Sequence, residues 1–206
     1  FVLVSADNKG GGVLAALDRA TGDVVWKNER PKLPNYASPI VLKVAGREQL
    51  ILIGCDLVSS YDSKTGSKLW EVKGATTECV TSTVTDGTHI FSSGGYPKSH
   101  VAAIKADGSG TVAWEKNARV YVTSMLIRDG YLYAVLDAGV ATCWKSDTGE
   151  VAWSHRLGGN FTASPVLVGD QIFATSETGE THIFKADPKA FQRVGENQIS
   201  GEVLAT

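Results

Sequence analysis

Four histidines, three cysteines and a triple glycine are the groups in this chain with the chemistry to catalyse, ligate a metal or cradle a phosphate. His89, His100, His155 and His182 stand far apart, and no two have the close spacing of a metal-ligating motif. Each is expected at a surface or a sheet edge. Cys55, Cys79 and Cys143 are isolated, so they offer neither a disulfide framework nor a zinc pattern. A lone thiol behaves as a small hydrophobe, and all three are predicted to be buried. Gly10-Gly11-Gly12 follows one predicted strand and leads into another, so no helix N-terminus is there to hold a phosphate. The run reads as a flexible loop. No Gly-x-Ser-x-Gly elbow and no Gly-Lys-Ser/Thr phosphate loop occurs. The residues therefore assign no catalytic, cofactor-binding or metal site, and no cofactor is expected.

Bulk properties narrow the classes further. A length of 206 residues suits one large all-β domain or two small ones. Hydrophobic residues at 43% and charged residues at 20% are enough for an ordinary soluble core. A formal net charge of −2 lacks the basic footprint that nucleic-acid binding requires. No apolar run approaches the ~18 residues needed to span a bilayer. The chain starts at Phe1 with no initiator Met or signal-like segment, which reads as a processed or trimmed end.

The elements that must carry these residues repeat. Asp18-Arg-Ala-Thr21-Gly22-Asp-Val-Val-Trp26 returns as Asp62-Ser-Lys-Thr65-Gly66-Ser-Lys-Leu-Trp70. Looser copies run Asp107-Gly-Ser109-Gly110-Thr-Val-Ala-Trp114 and Asp147-Thr148-Gly149-Glu-Val-Ala-Trp153. A fifth begins Phe184-Lys-Ala-Asp187-Pro188 and has lost both Gly and Trp. The tryptophans follow one another at 44, 44 and 39 residues, the period of one four-stranded propeller blade. Asp and Gly form the turn: the carboxylate accepts backbone N–H groups, and Gly supplies positive φ. A small residue and then a bulky one end the preceding strand, as in Ala16-Leu17, Ser60-Tyr61, Ala103-Ile104 and Cys143-Trp144; the fifth copy has Ile183-Phe184. Val25, Leu69, Ala113 and Ala152 are expected to point away from the indole beside them, on a strand covered on both faces.

The pattern predicts an all-β propeller of four-stranded antiparallel blades, forming a single domain over residues 1–206. Blades are expected near 38–73, 80–116, 122–156 and 163–198, with strands at 38–45, 49–54, 57–62 and 67–73 in the first. The second has strands at 80–85, 89–94, 100–106 and 111–116, the third at 122–128, 131–136, 139–145 and 150–156. The fourth has 163–168, 171–176, 180–186 and 192–198. Ala45-Gly46, Asp86-Gly87, Asp129-Gly130 and Gly169-Asp170 supply the first turn of each. Residues 1–29 give three strands of a further blade, and 202–206 resemble the start of its missing strand. The chain is thus either a segment of a larger ring or a closed ring of five blades.

The Asp-x-x-Thr-Gly-x-x-x-Trp phrase resembles the tryptophan-docking repeat of pyrroloquinoline quinone-like propellers, the superfamily of quinoprotein dehydrogenases and BamB-like proteins. The resemblance implies that Trp26, Trp70, Trp114 and Trp153 dock against the adjoining blade. It also implies a bacterial periplasmic, cell-envelope or secreted location. The family's enzymes typically use an adjacent Cys-Cys pair, a Trp platform, a catalytic Asp, and Glu and Asn ligands for calcium. No Cys-Cys pair occurs here, and Glu78 and Glu202 are the acidic residues near the starts of innermost strands, with no paired Asn-Asp set beside them. The expected function is a non-enzymatic scaffold, BamB-like, that binds a protein or peptide. The alternative is a quinoprotein-type dehydrogenase or cofactor-binding propeller whose site lies largely outside this segment. The segments leading into each innermost strand carry aromatic and polar side chains suited to an interface. Asn35, Tyr36, Glu78, Arg119, Tyr121, Asn160 and Phe161 form the candidate binding face. Oligomeric state has no signature in the sequence.

Overall fold

The computed structural model describes residues 1–205, and these contain strands and turns but no helix. Strands β1 (Val2–Ala6), β2 (Gly12–Leu17) and β3 (Val24–Arg30) form a three-stranded sheet. Next come β4 (Ile40–Val44), β5 (Arg47–Gly54), β6 (Leu57–Tyr61) and β7 (Lys68–Lys73), then β8 (Val84–Thr85), β9 (His89–Gly94), β10 (His100–Lys105) and β11 (Val112–Lys116). The fourth group is β12 (Leu126–Arg128), β13 (Tyr131–Leu136), β14 (Val140–Lys145) and β15 (Val151–Arg156). The last is β16 (Val166–Val168), β17 (Gln171–Thr175), β18 (Glu180–Lys185) and β19 (Arg193–Gln198). Each group is one antiparallel meander with its strands in chain order. No helix among the described residues is long and apolar enough to cross a membrane.

The sheets are stacked face to face, and the period-2 alternation of their middle strands shows it. On β9 and β10, Ile90, Ala102 and Ile104 enter the core shared with the first two sheets, while Phe91, Val101 and Ala103 enter the core shared with the fourth. On β13 and β14, Leu132, Ala134 and Trp144 face the third sheet, and Tyr133, Val135, Ala141 and Cys143 face the fifth. A strand buried on both faces reads as a continuous apolar run, as Leu50-Ile51-Leu52-Ile53 does. The two terminal sheets lack this cover on one side: Val2, Val24 and Val25 are exposed at one end, and Val166, Val168 and Val194 at the other.

Three features differ from the sequence expectation. The innermost strands are shorter at their starts than predicted, most clearly β8. Their leading residues bond through side chains instead: Thr123 Oγ1 donates to Val135 O at 2.7 Å, and Ser93 Oγ donates to Thr81 Oγ1 at 2.9 Å. Serines also link neighbouring sheets there, since Ser82 N donates to Ser124 Oγ and Ser124 N to Ser164 Oγ, each at 3.0 Å. Second, Val25, Leu69, Ala113 and Ala152 are not regular strand residues. In each of the first four sheets the last two strands shift register at the small–bulky step, and these residues are the extra ones of the bulge. Third, residues 202–205 form no strand on the first sheet, so they do not close a five-bladed ring; Thr206 lies outside the described residues. Val203 N instead donates to Glu177 O, as Phe161 N donates to Asp137 O one sheet earlier.

The bulge seats the indoles. It places the small residue directly across from Trp: Ala16 faces Trp26, Ser60 faces Trp70, Ala103 faces Trp114 and Cys143 faces Trp153. In the fifth copy the sizes are exchanged, with Ile183 across from Gly195. Each ring then leans on the next sheet. Trp26 lies over Gly66 and Trp114 over Gly149, where an added Cβ would come within 2.6 Å of the indole. Those two glycines, at φ +73° and +68°, serve the turn and the contact at once. Trp26 Nε1 donates to Ser63 O, Trp114 Nε1 to Ser146 O and Trp153 Nε1 to Asp187 O, at 3.3, 2.8 and 2.8 Å. Trp70 reaches its neighbour through a relay: its Nε1 donates to Gln49 Oε1 at 2.7 Å, and Gln49 Nε2 donates to Ala106 O at 2.9 Å.

Candidate functional site

In a four-stranded meander the first and third turns share one end of the sheet. The middle loop and the link to the next sheet share the other. That second end gathers residues 31–39, 74–83, 117–125 and 157–165, each link wedged between the middle loops of two sheets. Phe161 N donates to Asp137 O of one loop at 2.9 Å, and Asn160 O accepts from Glu177 N of the next at 2.9 Å.

The seven candidate residues separate into two groups here. Asn35 is buried, which removes it from any face. Its Nδ2 donates to Ile53 O at 3.0 Å and to Asp7 Oδ2 at 3.2 Å, and its Oδ1 accepts from Cys79 N at 3.1 Å. Gly54 must be glycine for this amide to fit, since a Cβ there would lie 1.9 Å from Asn35 Oδ1. Phe161, expected to be exposed, is 1% exposed and belongs to the core of the last two sheets. A polar amide with several backbone partners and an aromatic ring over an apolar cluster are both buried because the links run deeper than a surface loop. Asn160 is exposed, and its backbone carbonyl accepts from Glu177 N of the last sheet's middle loop.

The remaining four gather. Tyr121 Oη donates to Glu78 Oε2 at 3.0 Å, joining two successive links. The Arg119 guanidinium lies 5.4 Å from the Tyr121 ring centroid, within cation–π range. Arg119 Nε donates to Asp137 Oδ2 at 3.1 Å and Nη1 to Gly95 O at 3.1 Å, while Tyr121 N donates to Asp137 Oδ1 at 3.0 Å. The ring rests on Gly95, where a Cβ would come within 2.5 Å of the ring's Cγ. Burial, then the bond to Glu78, pushes the Tyr121 phenol up to about 12, so it is a donor at neutral pH. Tyr36 is 62% exposed, and Tyr96, on a middle loop, is 54% exposed. Tyr96, Gly95 and Asp137 escaped the sequence reading because it drew on the links alone; the alternation of links and middle loops at one end was the available signal.

The other reactive groups are structural or misplaced by the sequence reading. The three cysteines are free and buried, in three different sheets or their connections. Burial pushes the Cys55 and Cys143 thiols up to about 11, which keeps them protonated. His89, His100 and His182 are buried, contrary to the surface or edge placement expected for them. His89 Nδ1 lies 3.0 Å from Asp86 Oδ2, and His100 Nε2 lies 3.1 Å from Gly74 O. Adjacent sheets cover these faces, which a single-strand reading does not register. Asp7 and Arg30 form a buried ion pair at 3.0 Å.

A stack of antiparallel meanders locked by indoles on the next sheet's turn defines a β-propeller of pyrroloquinoline quinone-like repeats. The chain belongs to the family described as outer membrane protein assembly factor BamB, whose profile matches residues 9–128 and again 97–193. BamB from Moraxella catarrhalis superposes with a TM-score of 0.71 at 16% identity, covering 98% of this chain and 64% of that one. Quinohemoprotein alcohol dehydrogenase from Comamonas testosteroni gives 0.71 at 11% identity, covering 95% of this chain and 41% of that one. Saccharomyces cerevisiae Sqt1 gives 0.72 at 13% identity, covering 98% and 60%. The chain thus spans under two thirds of the length of each of these structures, and at such identities the likeness is one of fold. No curated protein sequence matches it.

The quinone and calcium of the dehydrogenase branch find no fitting donor set among the described residues. The cysteines cannot form an adjacent pair, and the carboxylates that cluster with a third ligand lie on the outer strands β18 and β19 of the last sheet.

Proposed function

We propose that this chain is a non-enzymatic, BamB-like propeller of the cell envelope that presents the link-and-loop end of its sheets to a protein or peptide. The observation that carries this reading is the exposed Tyr36 beside the Glu78–Tyr121–Arg119 group. An aromatic ring held by polar partners with an arginine over it, beside a second, exposed ring whose backbone N–H bonds Cys79 O next to Glu78, matches the composition of interface hot spots. Tyr121 and Arg119 are fixed by Asp137 and Gly95 before any partner arrives, so little side-chain freedom is lost on binding. The family's description as an assembly factor favours a protein partner over a small metabolite. Asn35 and Phe161 support this face from beneath rather than belong to it.

The test is binding of the captured partner by Tyr36→Ala and Arg119→Ala variants. Each is expected to weaken binding by about tenfold or more, the effect of losing a hot-spot side chain. Undiminished capture by both variants contradicts the reading.

A further inference from the structure

We propose that Glu180, His182 and Glu196 form a binding site for a first-row divalent metal ion, of which zinc is the representative. His182 and Glu196 are direct cross-strand partners on β18 and β19, and Glu180 lies two residues before His182, so all three project from one face of the sheet. One ligand atom from each lies within 4.8 Å of the others.

The imidazole points to a ligand. Its side chain is 2% exposed, and neither ring nitrogen makes a hydrogen bond among the described residues. Nδ1 lies 3.1 Å from Glu196 Oε1, but a proton on it would not point along that line; Nε2 lies 3.6 Å from Glu180 Oε1. A buried polar ring between two carboxylates, bonded to neither, is costly unless a further group joins them. The carboxylates crowd each other as well. A dication would neutralise both carboxylates and take the imidazole as its third ligand, leaving a fourth position for water.

The donor set selects the metal. Calcium and magnesium prefer all-oxygen shells, whereas imidazole with carboxylates suits zinc and its first-row neighbours. Ligand atoms around a tetrahedral zinc stand about 3.3 Å apart, given Zn–N and Zn–O bonds of about 2 Å. The two glutamates are nearly half exposed and free to close that distance, while His182, packed with its ring 6.0 Å from that of Phe161, stays fixed. Arg193 competes, since its Nη1 contacts Glu196 Oε1. The ion would tie β19, a polar, exposed strand that carries no docking indole, to β18.

Thermal unfolding of the whole chain with and without zinc chloride tests the site. The melting temperature is expected to rise with zinc concentration and not with magnesium. Glu180→Gln and Glu196→Gln, both at half-exposed positions, should fold and lose most of that rise, whereas Arg193→Ala should show it at lower zinc concentration. Cobalt(II) should give visible absorption bands that Glu196→Gln abolishes. No zinc-dependent rise in the parent chain, or an equal rise in both glutamine variants, overturns the proposal.

Discussion

Trp70 and Tyr121 show how much of this protein is decided by single polar atoms. A buried indole N–H must find an acceptor. For Trp26, Trp114 and Trp153 the acceptor is a backbone carbonyl of the next sheet's turn. Trp70 depends on Gln49, itself fully buried and also bonded to Ser60. Gln49→Leu removes the relay and leaves the indole, Ser60 and Ala106 without partners. It should cost about 1–3 kcal/mol per orphaned group, read as a lower urea midpoint with an unchanged slope. Tyr121 offers a pH test. Its folded pKa is raised above the unfolded value of about 10. Its contribution to stability is therefore fully present below pH 10 and is lost as pH rises through about 12. A difference titration at 295 nm between the parent and Tyr121→Phe should show a midpoint near 12. A midpoint near 10 would mean that the phenol is neither buried nor bonded to Glu78 as described.

At the scale of strands and turns, the sequence was readable where one residue dictates the backbone. The glycine of each repeat has positive φ, and Gly66 and Gly149 also leave room for the indole above them, so these two stand out in the chain. The turn aspartates are equally plain: Asp62 Oδ1 accepts from Lys64 N at 2.9 Å and Thr65 N at 2.8 Å. The bulge was not legible, because its extra residue is apolar like its neighbours. Only the pairing distinguishes Leu69 from an ordinary strand residue. The shortened innermost strands escaped for a similar reason, since hydroxyl groups there do the work of backbone donors and acceptors. One turn carries a residue poorly suited to it. Ala45 has φ +49° beside Gly46 at +76°, in a two-residue hairpin that favours Asn-Gly. Relief of that strain by Ala45→Gly should add about 0.5–1 kcal/mol, since a left-handed conformation costs an alanine about 1–2 kcal/mol and glycine returns part of it as backbone entropy. Chemical denaturation at neutral pH measures it directly.

Across the whole molecule, stacking was legible in the sequence and the functional end only partly so. Apolar runs with no polar alternation, repeated at blade spacing, require cover on both faces, and the alternate cores supply it. The links that carry the candidate residues do share one end of the sheets, but depth along them is set by neighbouring loops. Asn35 and Phe161 therefore turned out to be supports, and Tyr96 was missed. The central claim is that this end, and not the opposite end with its Asp-Gly turns, meets a protein partner. Photo-activatable cross-linking residues placed singly at Tyr36 and Tyr96 at one end, and at Gly46 and Gly87 at the other, separate the two in the native protein. Covalent adducts with one partner protein from Tyr36 and Tyr96, and none from Gly46 or Gly87, are the predicted result. Adducts confined to Gly46 and Gly87, or equal at both ends, contradict the account.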